Sequence, residues 1–258
     1  MNQKRPVRQA KKAQQPTSEG VRLNRYIAEA AVCSRRAADT LISEGHVTIN
    51  GKRATLGMQV TPEDSVAVDG KTVSNKRRSA YLLFNKPKDC ITTAKDERGR
   101  RTVLEIVNYH DRVFPVGRLD RNSTGVLLLT NDGELAHRLM HPRYGVEKTY
   151  YVVLDKPITR VHAKEMEQGI ILEGEKTAPC KIEINPADKT ELAVTMHEGR
   201  NRQVRRMFEE LGYLVTKLDR ILYAGLTARG IKRGEWRPLT RTELSHLKKL
   251  TGFSETNE

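Results

Sequence analysis

Apolar positions first fall into a regular period at Val21. In VRLNRYIAEA, Leu23, Ile27 and Ala30 share one face at helical spacing, with Arg22 and Arg25 off it. CSRRAADTLISEG repeats the period: Ser34 is placed to cap a helix with the stripe Ala37, Leu41 and Ile42, and Gly45 to end it. The period then drops to two. HVTINGKRA and SVAVDGKTV alternate apolar and polar residues around Asn-Gly and Asp-Gly, which are hairpin signals. The pattern predicts a small unit over residues 21–73, two helices and then hairpins. A polar linker, SNKRRS, follows over 74–79.

After the linker the chain reads mainly as strands. AYLLFNKP is one, stopped by Pro87, and RVFPVGRLD and GVLLLT are two more, separated by the loop RNSTG. NDGELAHRLMH predicts a turn and a helix with Leu135 and Leu139 inward. KTYYVVLD, CKIEIN and ELAVTMHEG alternate as strands, so Tyr150 and Tyr151 must point to opposite faces. NRQVRRMFEELG is a helix with Val204, Met207, Phe208 and Leu211 on one face and Gly212 at its end. LVTKLDRILYAG is a strand pair or one bent strand. TRTELSHLKKLTG is a final helix with a capping box from Thr240 to Glu243, ending at Gly252. Runs of strands with few helices between them predict an α+β domain, residues 80–250, with a largely antiparallel sheet.

The residues outside these periods are charged or polar. Residues 1–20 hold five Lys and Arg against Glu19 and offer nothing to bury, which predicts a disordered basic tail. Residues 251–258 read as a C-terminal tail. A net charge of +14 favours a polyanionic partner such as nucleic acid. Three cysteines far apart give neither a disulfide framework nor a zinc pair and point to a reducing cytoplasm. No leader-like apolar segment or membrane-length run is present, and no long apolar stripe asks for a second copy, so a monomer with no membrane role is expected.

Most catalytic classes lack their signatures. His137 and His141 stand four apart, but without the glutamate frame or third ligand of a zinc site, so no metal is expected. There is no GxSxG and no phosphate loop. Basic residues cluster in two places. Arg22, Arg25, Arg35 and Arg36 lie on the polar helix face of the first unit, with Lys52 and Arg53 on its hairpin. Arg200, Arg202, Arg205 and Arg206 surround a glycine-led turn into a helix. There Arg202 and Arg206 point outward to phosphate, while Arg205, at the edge of the buried stripe, can reach inward to an anionic partner.

Three long motifs carry a resemblance. GRLDRNSTGVLLLTNDGELAHRLMHP and HEGRNRQVRRMFEELG resemble signatures of the bacterial ribosomal pseudouridine synthases of the RsuA family, which groups an A type for small-subunit RNA with B, E and F types for large-subunit RNA. LNRYIAEAAVCSRRAADTLISEGHVTINGK resembles the S4 RNA-binding domain that precedes their catalytic domain. GRRTV, GIILEGEKTAPCKIEI and EGRNRQVRRMFE are most similar to the B type. The resemblance spans about residues 21–250. It implies an S4-type RNA-binding domain followed by a pseudouridine synthase domain with a mainly antiparallel mixed sheet flanked by helices. It also implies an isomerase that needs no cofactor, acting on ribosomal RNA.

By position, the resemblance implies that Asp120 is the essential aspartate and Tyr150 the residue stacked on the target base. It makes Arg205 the basic partner of Asp120, Leu218 the apolar residue beside the base, and Arg118 a side chain inserted where the flipped nucleotide was. The isomerisation breaks the C1′–N1 bond, turns the uracil and rejoins it through C5, so the nucleotide must leave its helix. In that role Asp120 fits equally as nucleophile at C1′ or as base at C2′, with attack on uracil C6 a third and older idea. The B-type likeness implies 23S rRNA near the peptidyl-transferase region, or an assembly intermediate of the large ribosomal subunit. Alternatives are a 16S rRNA synthase and a non-catalytic S4-containing ribosome-assembly factor. A metal-dependent nuclease is disfavoured by the lack of clustered carboxylates.

Overall fold

In a computed structural model of the chain, residues 20–74, 78–93, 96 and 98–253 are described. The expected disordered tail up to residue 19, the middle of the linker and the last five residues lie outside that set. The chain divides into two compact units between residues 77 and 78.

The first unit runs β1 (Val21–Arg22), α1 (Leu23–Glu29), α2 (Arg35–Glu44), β2 (Val47–Ile49), β3 (Lys52–Arg53), β4 (Gln59–Val60), β5 (Val66–Val68) and β6 (Lys71–Val73). Helix α1 lacks a side-chain cap; the Leu23 amide donates instead to the Met58 carbonyl. Ser34 caps α2 and Gly45 closes it in a left-handed conformation, as the spacing predicts. The buried stripe of α2 is shifted by one residue. Ala38 and Ile42 are buried, whereas Ala37 is exposed and its amide bonds the Ser34 hydroxyl. Strands β3-β2-β5-β6 form one sheet, and Leu23, Ile27, Ala38, Ile42, Val47 and Val66 make the core.

The second unit runs β7 (Tyr81–Lys86), α3 (Val103–Val107), β8 (Phe114–Pro115), β9 (Thr124–Thr130), α4 (Gly133–Met140), β10 (Lys148–Leu154), α5 (Arg160–Gln168), β11 (Ile171–Leu172), β12 (Glu175–Lys176), β13 (Lys181–Ile184), β14 (Glu191–Met196), α6 (Gln203–Glu210), β15 (Val215–Tyr223), β16 (Trp236–Pro238) and α7 (Arg241–Leu250). Eight strands form one mixed sheet in the order β13-β14-β10-β15-β9-β7-β16, with β8 on β9. The pairing of β15 with β9 is parallel; the others are antiparallel.

Central strand β9 is buried along its whole length. Leu127 and Leu129 join one core with residues of α3, α5 and α6, while Val126 and Leu128 join the other with residues of α4 and α7. Burial on both faces is why GVLLLT is continuously apolar rather than alternating.

Three expectations are corrected. RVFPVGRLD is not a strand throughout: only Phe114–Pro115 pairs, and Gly117 turns the chain into a loop with φ +74°. Helices α3 and α5 are absent from the sequence reading. The first is too short to show a period, and the second buries only Ala163 and Met166. Their caps, Thr102 with Glu105 and Thr159, were the readable signals. The C-terminal tail is not free from residue 251. Thr251 is fully buried, and Phe253 lies under the Arg138 guanidinium at 5.1 Å.

Gly125 permits the one parallel contact. Its φ is +107°, and a Cβ there would stand 2.2 Å from the Arg220 carbonyl oxygen of β15. Backbone cannot yield as a flexible side chain can, so Gly125→Ala is expected to destabilise the unit by about 2–4 kcal/mol. A melting midpoint within a degree of the wild type would refute this.

Candidate active site

Between β8 and β9 a loop over residues 116–123 carries Asp120 to the edge of a pocket of about 700 Å³. Three devices hold this loop. The Leu119 side chain is buried, and the Thr92 hydroxyl both donates to the Leu119 carbonyl (2.7 Å) and accepts from its amide (3.3 Å). Lys86, at the end of β7, is fully buried. Its ammonium donates to the carbonyls of Asp120 (2.9 Å), Ser123 (2.8 Å), Arg121 (3.2 Å) and Pro87 (3.2 Å). Burial pushes the Lys86 ammonium below the usual lysine range, and Asp120 opposes that shift. Finally, Arg121 pairs with Asp89 at 2.6 Å, and the Asp89 amide returns a bond to the Arg121 carbonyl. Arg121 therefore supports the loop.

The loop leaves the Asp120 carboxylate half-exposed and, among the described residues, with no hydrogen bond from protein. Its carbonyl is fixed while its side chain remains available to a ligand.

Strands β10 and β15 form another wall. Register shifts beside Tyr150 and Leu154 skip Ile221 and Thr216 on β15, which brings Leu218 opposite Val152 and Arg220 opposite Tyr150. Directly opposed residues stand on the same face, so Tyr150, Leu218 and Arg220 all reach the pocket. All three are buried. Tyr151 takes the other face, with the Lys217 ammonium 4.9 Å from its ring centroid. Tyr223 lines the pocket as well; its hydroxyl donates to the Leu139 carbonyl, and burial pushes it up to about 12.

The predicted basic residues separate into groups. Arg118 is exposed and lines the pocket two positions before Asp120. Arg205 is half-buried, but its guanidinium donates to the Val215 carbonyl at 2.7 Å and forms no ion pair with Asp120. Burial and Arg202 push Arg205 down, while Asp120 acts the other way, so the two feel each other without touching. The expected direct pair is absent from this structure, where Nη1 of the guanidinium donates to the Val215 carbonyl.

The turn arginines are engaged with acids. Arg200 pairs with Glu175 (3.1 Å), Arg202 with Glu209 (3.6 Å) and Arg206 with Glu173 (2.9 Å). Arg200 and Arg202 line the pocket and Arg206 does not. In the first unit Arg22, Arg35, Arg36, Lys52 and Arg53 are exposed, while Arg25 is half-buried and bonds Glu29 at 2.6 Å.

Sequence reasoning missed three site residues. Lys86 was legible as a lone cation inside the apolar run YLLFNKP. Lys148 and Arg220 carried no signal, because their place at the pocket depends on register. Lys148 donates to the carbonyls of His197 and Glu198, and burial, with Arg220 nearby, pushes its ammonium down to about 8. Among the described residues no cluster of histidine, cysteine and carboxylate is arranged to hold a metal. The His141 ring instead accepts from the Arg143 amide and caps a short 3-10 turn.

A pocket with one free carboxylate, a buried tyrosine, an apolar wall and an excess of cations suits a neutral planar group carried on a polyanion. Residues 80–210 match the family described as RNA pseudouridylate synthase, and residues 21–66 match the S4 domain. The ribosomal large subunit pseudouridine synthase B of Bacillus subtilis (strain 168) is 45% identical over 235 residues, 89% of this chain and 96% of the relative. The dual-specificity RNA pseudouridine synthase RluF of Escherichia coli (strain K12) is 42% identical over 232 residues, 89% of this chain and 79% of the relative. A solved crystal structure of a pseudouridylate synthase is similar with a TM-score of 0.66 at 33% identity, over 88% of this chain and 99% of that one.

Proposed function

Because the chain belongs to the RNA pseudouridylate synthase family, we propose that it isomerises one uridine of 23S rRNA, near the peptidyl-transferase region, with Asp120 as the reacting carboxylate. The observation that carries this reading is the placement of Asp120. It is held through its backbone, open at its side chain, and shares a pocket with Tyr150 and Leu218. The 96% coverage of a relative named for the large ribosomal subunit supports the choice of rRNA.

In this reading the target nucleotide leaves its helix and its uracil stacks on Tyr150 beside Leu218. Arg118, exposed at the rim, fills the vacated space. Asp120 either attacks C1′ to give a glycosyl ester or takes the C2′ proton to give a glycal. Both routes detach the uracil, and the apolar wall beside Tyr150 and Leu218 keeps it until C5 rejoins C1′. Arg205 acts on Asp120 through the field of its charge. The exposed Arg22, Arg35, Arg36, Lys52 and Arg53 of the S4 unit bind phosphates and RNA shape, not base sequence. The substrate is free rRNA or an assembly intermediate of the large ribosomal subunit, met by a cytoplasmic monomer.

Release of tritium from C5-labelled uridine in rRNA, followed by mapping of the modified position, tests this reading. A deletion strain should lack one 23S pseudouridine. Loss of a 16S pseudouridine instead would move the target to the small ribosomal RNA, and no release from any rRNA would favour a non-catalytic assembly factor.

Lys148 supplies a pH-dependent part of RNA binding. With its free ammonium near 8, it is charged at neutral pH and loses its proton as the pH rises through that value. A phosphate beside it favours the charged form, so binding takes up a proton above about pH 8. RNA affinity is therefore expected to decline from about pH 7.5 to 9. Lys148→Gln should bind more weakly at pH 7, flatten the decline and lower the salt slope by up to about one unit. An unchanged pH profile in that variant would exclude the contact.

A further inference from the structure

The cation least explained by the fold is Arg220. It is 2% exposed, yet among the described residues it forms no ion pair. Its Nε donates to the Val126 carbonyl at 2.8 Å, and its guanidinium carbon lies 4.6 Å from the Tyr223 ring centroid. These contacts fix the plane of the group. Its Nη2 is buried and, among the described residues, has no hydrogen-bond partner. A buried guanidinium with an unused donor is costly unless an acceptor arrives. The residue borders the pocket directly opposite Tyr150 across the β10–β15 ladder, so an acceptor on a ring stacked at Tyr150 comes within its reach.

The reaction produces such an acceptor. When C1′–N1 breaks, its electron pair leaves with the uracil, whose negative charge spreads over N1, O2 and O4. Resting on the function proposed above, we propose that Arg220 is a catalytic residue that donates to an oxygen of the detached uracil anion and stabilises it until C5 bonds to C1′. The cycle then closes: as C5 bonds to C1′ the ester bond from Asp120 to C1′ breaks, or on the glycal route Asp120 returns its proton to C2′; C5 gives up its proton, N1 takes one from solvent, and the product is an isomer of the substrate. A donor fixed beside charge that exists only after bond cleavage accelerates the chemical step without strengthening substrate binding. Arg220 also stands close enough to Lys148 for its charge to push that ammonium downward.

The other anion available is an RNA phosphate, and the two sources behave differently. Phosphate is charged before, during and after the reaction; uracil is charged only between bond cleavage and rejoining. The test uses the full chain with rRNA carrying C5-tritiated uridine, comparing wild type, Arg220→Gln and Arg220→Lys under single turnover, with RNA affinity measured in parallel. A second rRNA contains 5-fluorouridine, whose fluorine makes the uracil a better leaving group, and loss of intact 5-fluorouridine reports cleavage.

Arg220→Gln is expected to slow tritium release by about a hundredfold. Its RNA affinity should stay within about twofold of wild type, and Arg220→Lys should recover part of the rate. On 5-fluorouridine the deficit of Arg220→Gln should shrink at least about fivefold, because a better leaving group depends less on the donor. Equal deficits on both substrates would make Arg220 structural and overturn the proposal. So would weakened RNA binding at an unchanged rate, which would assign the donor to phosphate, or an unaltered rate in Arg220→Gln. Wild type that releases no tritium would remove the function on which the inference rests.

Discussion

Asp120→Asn is expected to lower isomerisation by at least about a thousandfold while leaving folding and RNA affinity nearly unchanged. The separation follows from how the residue is held. The bonds that place it end on its own carbonyl, from the Lys86 ammonium and the Ser123 amide, and asparagine keeps that carbonyl. The carboxylate accepts no hydrogen bond from the described protein, so replacing one oxygen by an amide breaks none and removes only the charge felt at a distance by Lys86 and Arg205. The change should stay within about 0.5 kcal/mol in stability. What is lost is the ability to attack C1′ or accept the C2′ proton, since an amide does neither. Tritium release, a thermal melt and an RNA-binding curve on the same preparation check this. Activity within tenfold of wild type would remove Asp120 from the chemistry.

Lys86→Met should fail in the complementary way. The side chains are similar in length, but methionine leaves the carbonyls of Pro87, Asp120, Arg121 and Ser123 without their shared donor. The Asp120 and Arg121 carbonyls keep the amides of Ser123 and Asp89, so the loss falls mainly on the Ser123 and Pro87 carbonyls. Each buried acceptor left unsatisfied costs about 1–3 kcal/mol, offset in part because the ammonium no longer has to be desolvated. A net loss of about 2–4 kcal/mol is expected, and with it a melting midpoint lower by roughly 5–12 °C. Because the same carbonyls place Asp120, activity should fall at least about a hundredfold. Stability and rate thus fall together here, whereas Asp120→Asn loses rate alone. A Lys86→Met protein that melts and turns over like wild type would show that Leu119 and Thr92 suffice to hold the loop.

The two cases mark how far the residues speak before folding. Helix α2 was readable because capping and period are local: Ser34, Ile42 and Gly45 lie within one short segment. The same holds for α4, α6 and α7. Strand β9 was readable from continuous apolarity, and the opposed faces of Tyr150 and Tyr151 from the period of two. The break after Pro115 was not, because the residues up to Asp120 remain apolar enough to resemble a strand. Asp120, Arg118, Tyr150, Arg205 and Leu218 were marked by resemblance to a family. Composition and spacing alone singled out only two clusters of basic residues, one on the first unit and one at the turn into α6.

What the sequence determined by itself is therefore the two units and the order and type of most elements; the acid was marked only by the resemblance. Tertiary structure decided how that acid is used. Gly125 lets β15 lie parallel to β9, and the extra residue Ile221 on β15 turns Leu218 and Arg220 to the face of Tyr150. Burial then left Arg220 with an unused donor, drew the Lys148 ammonium down to about 8 and tied Lys86 to four carbonyls, while the Val215 carbonyl took Arg205. The physical reason is range. Caps and periods act over a few residues, but desolvation and the field of a charge depend on every segment packed around it, and those segments lie far apart in the chain.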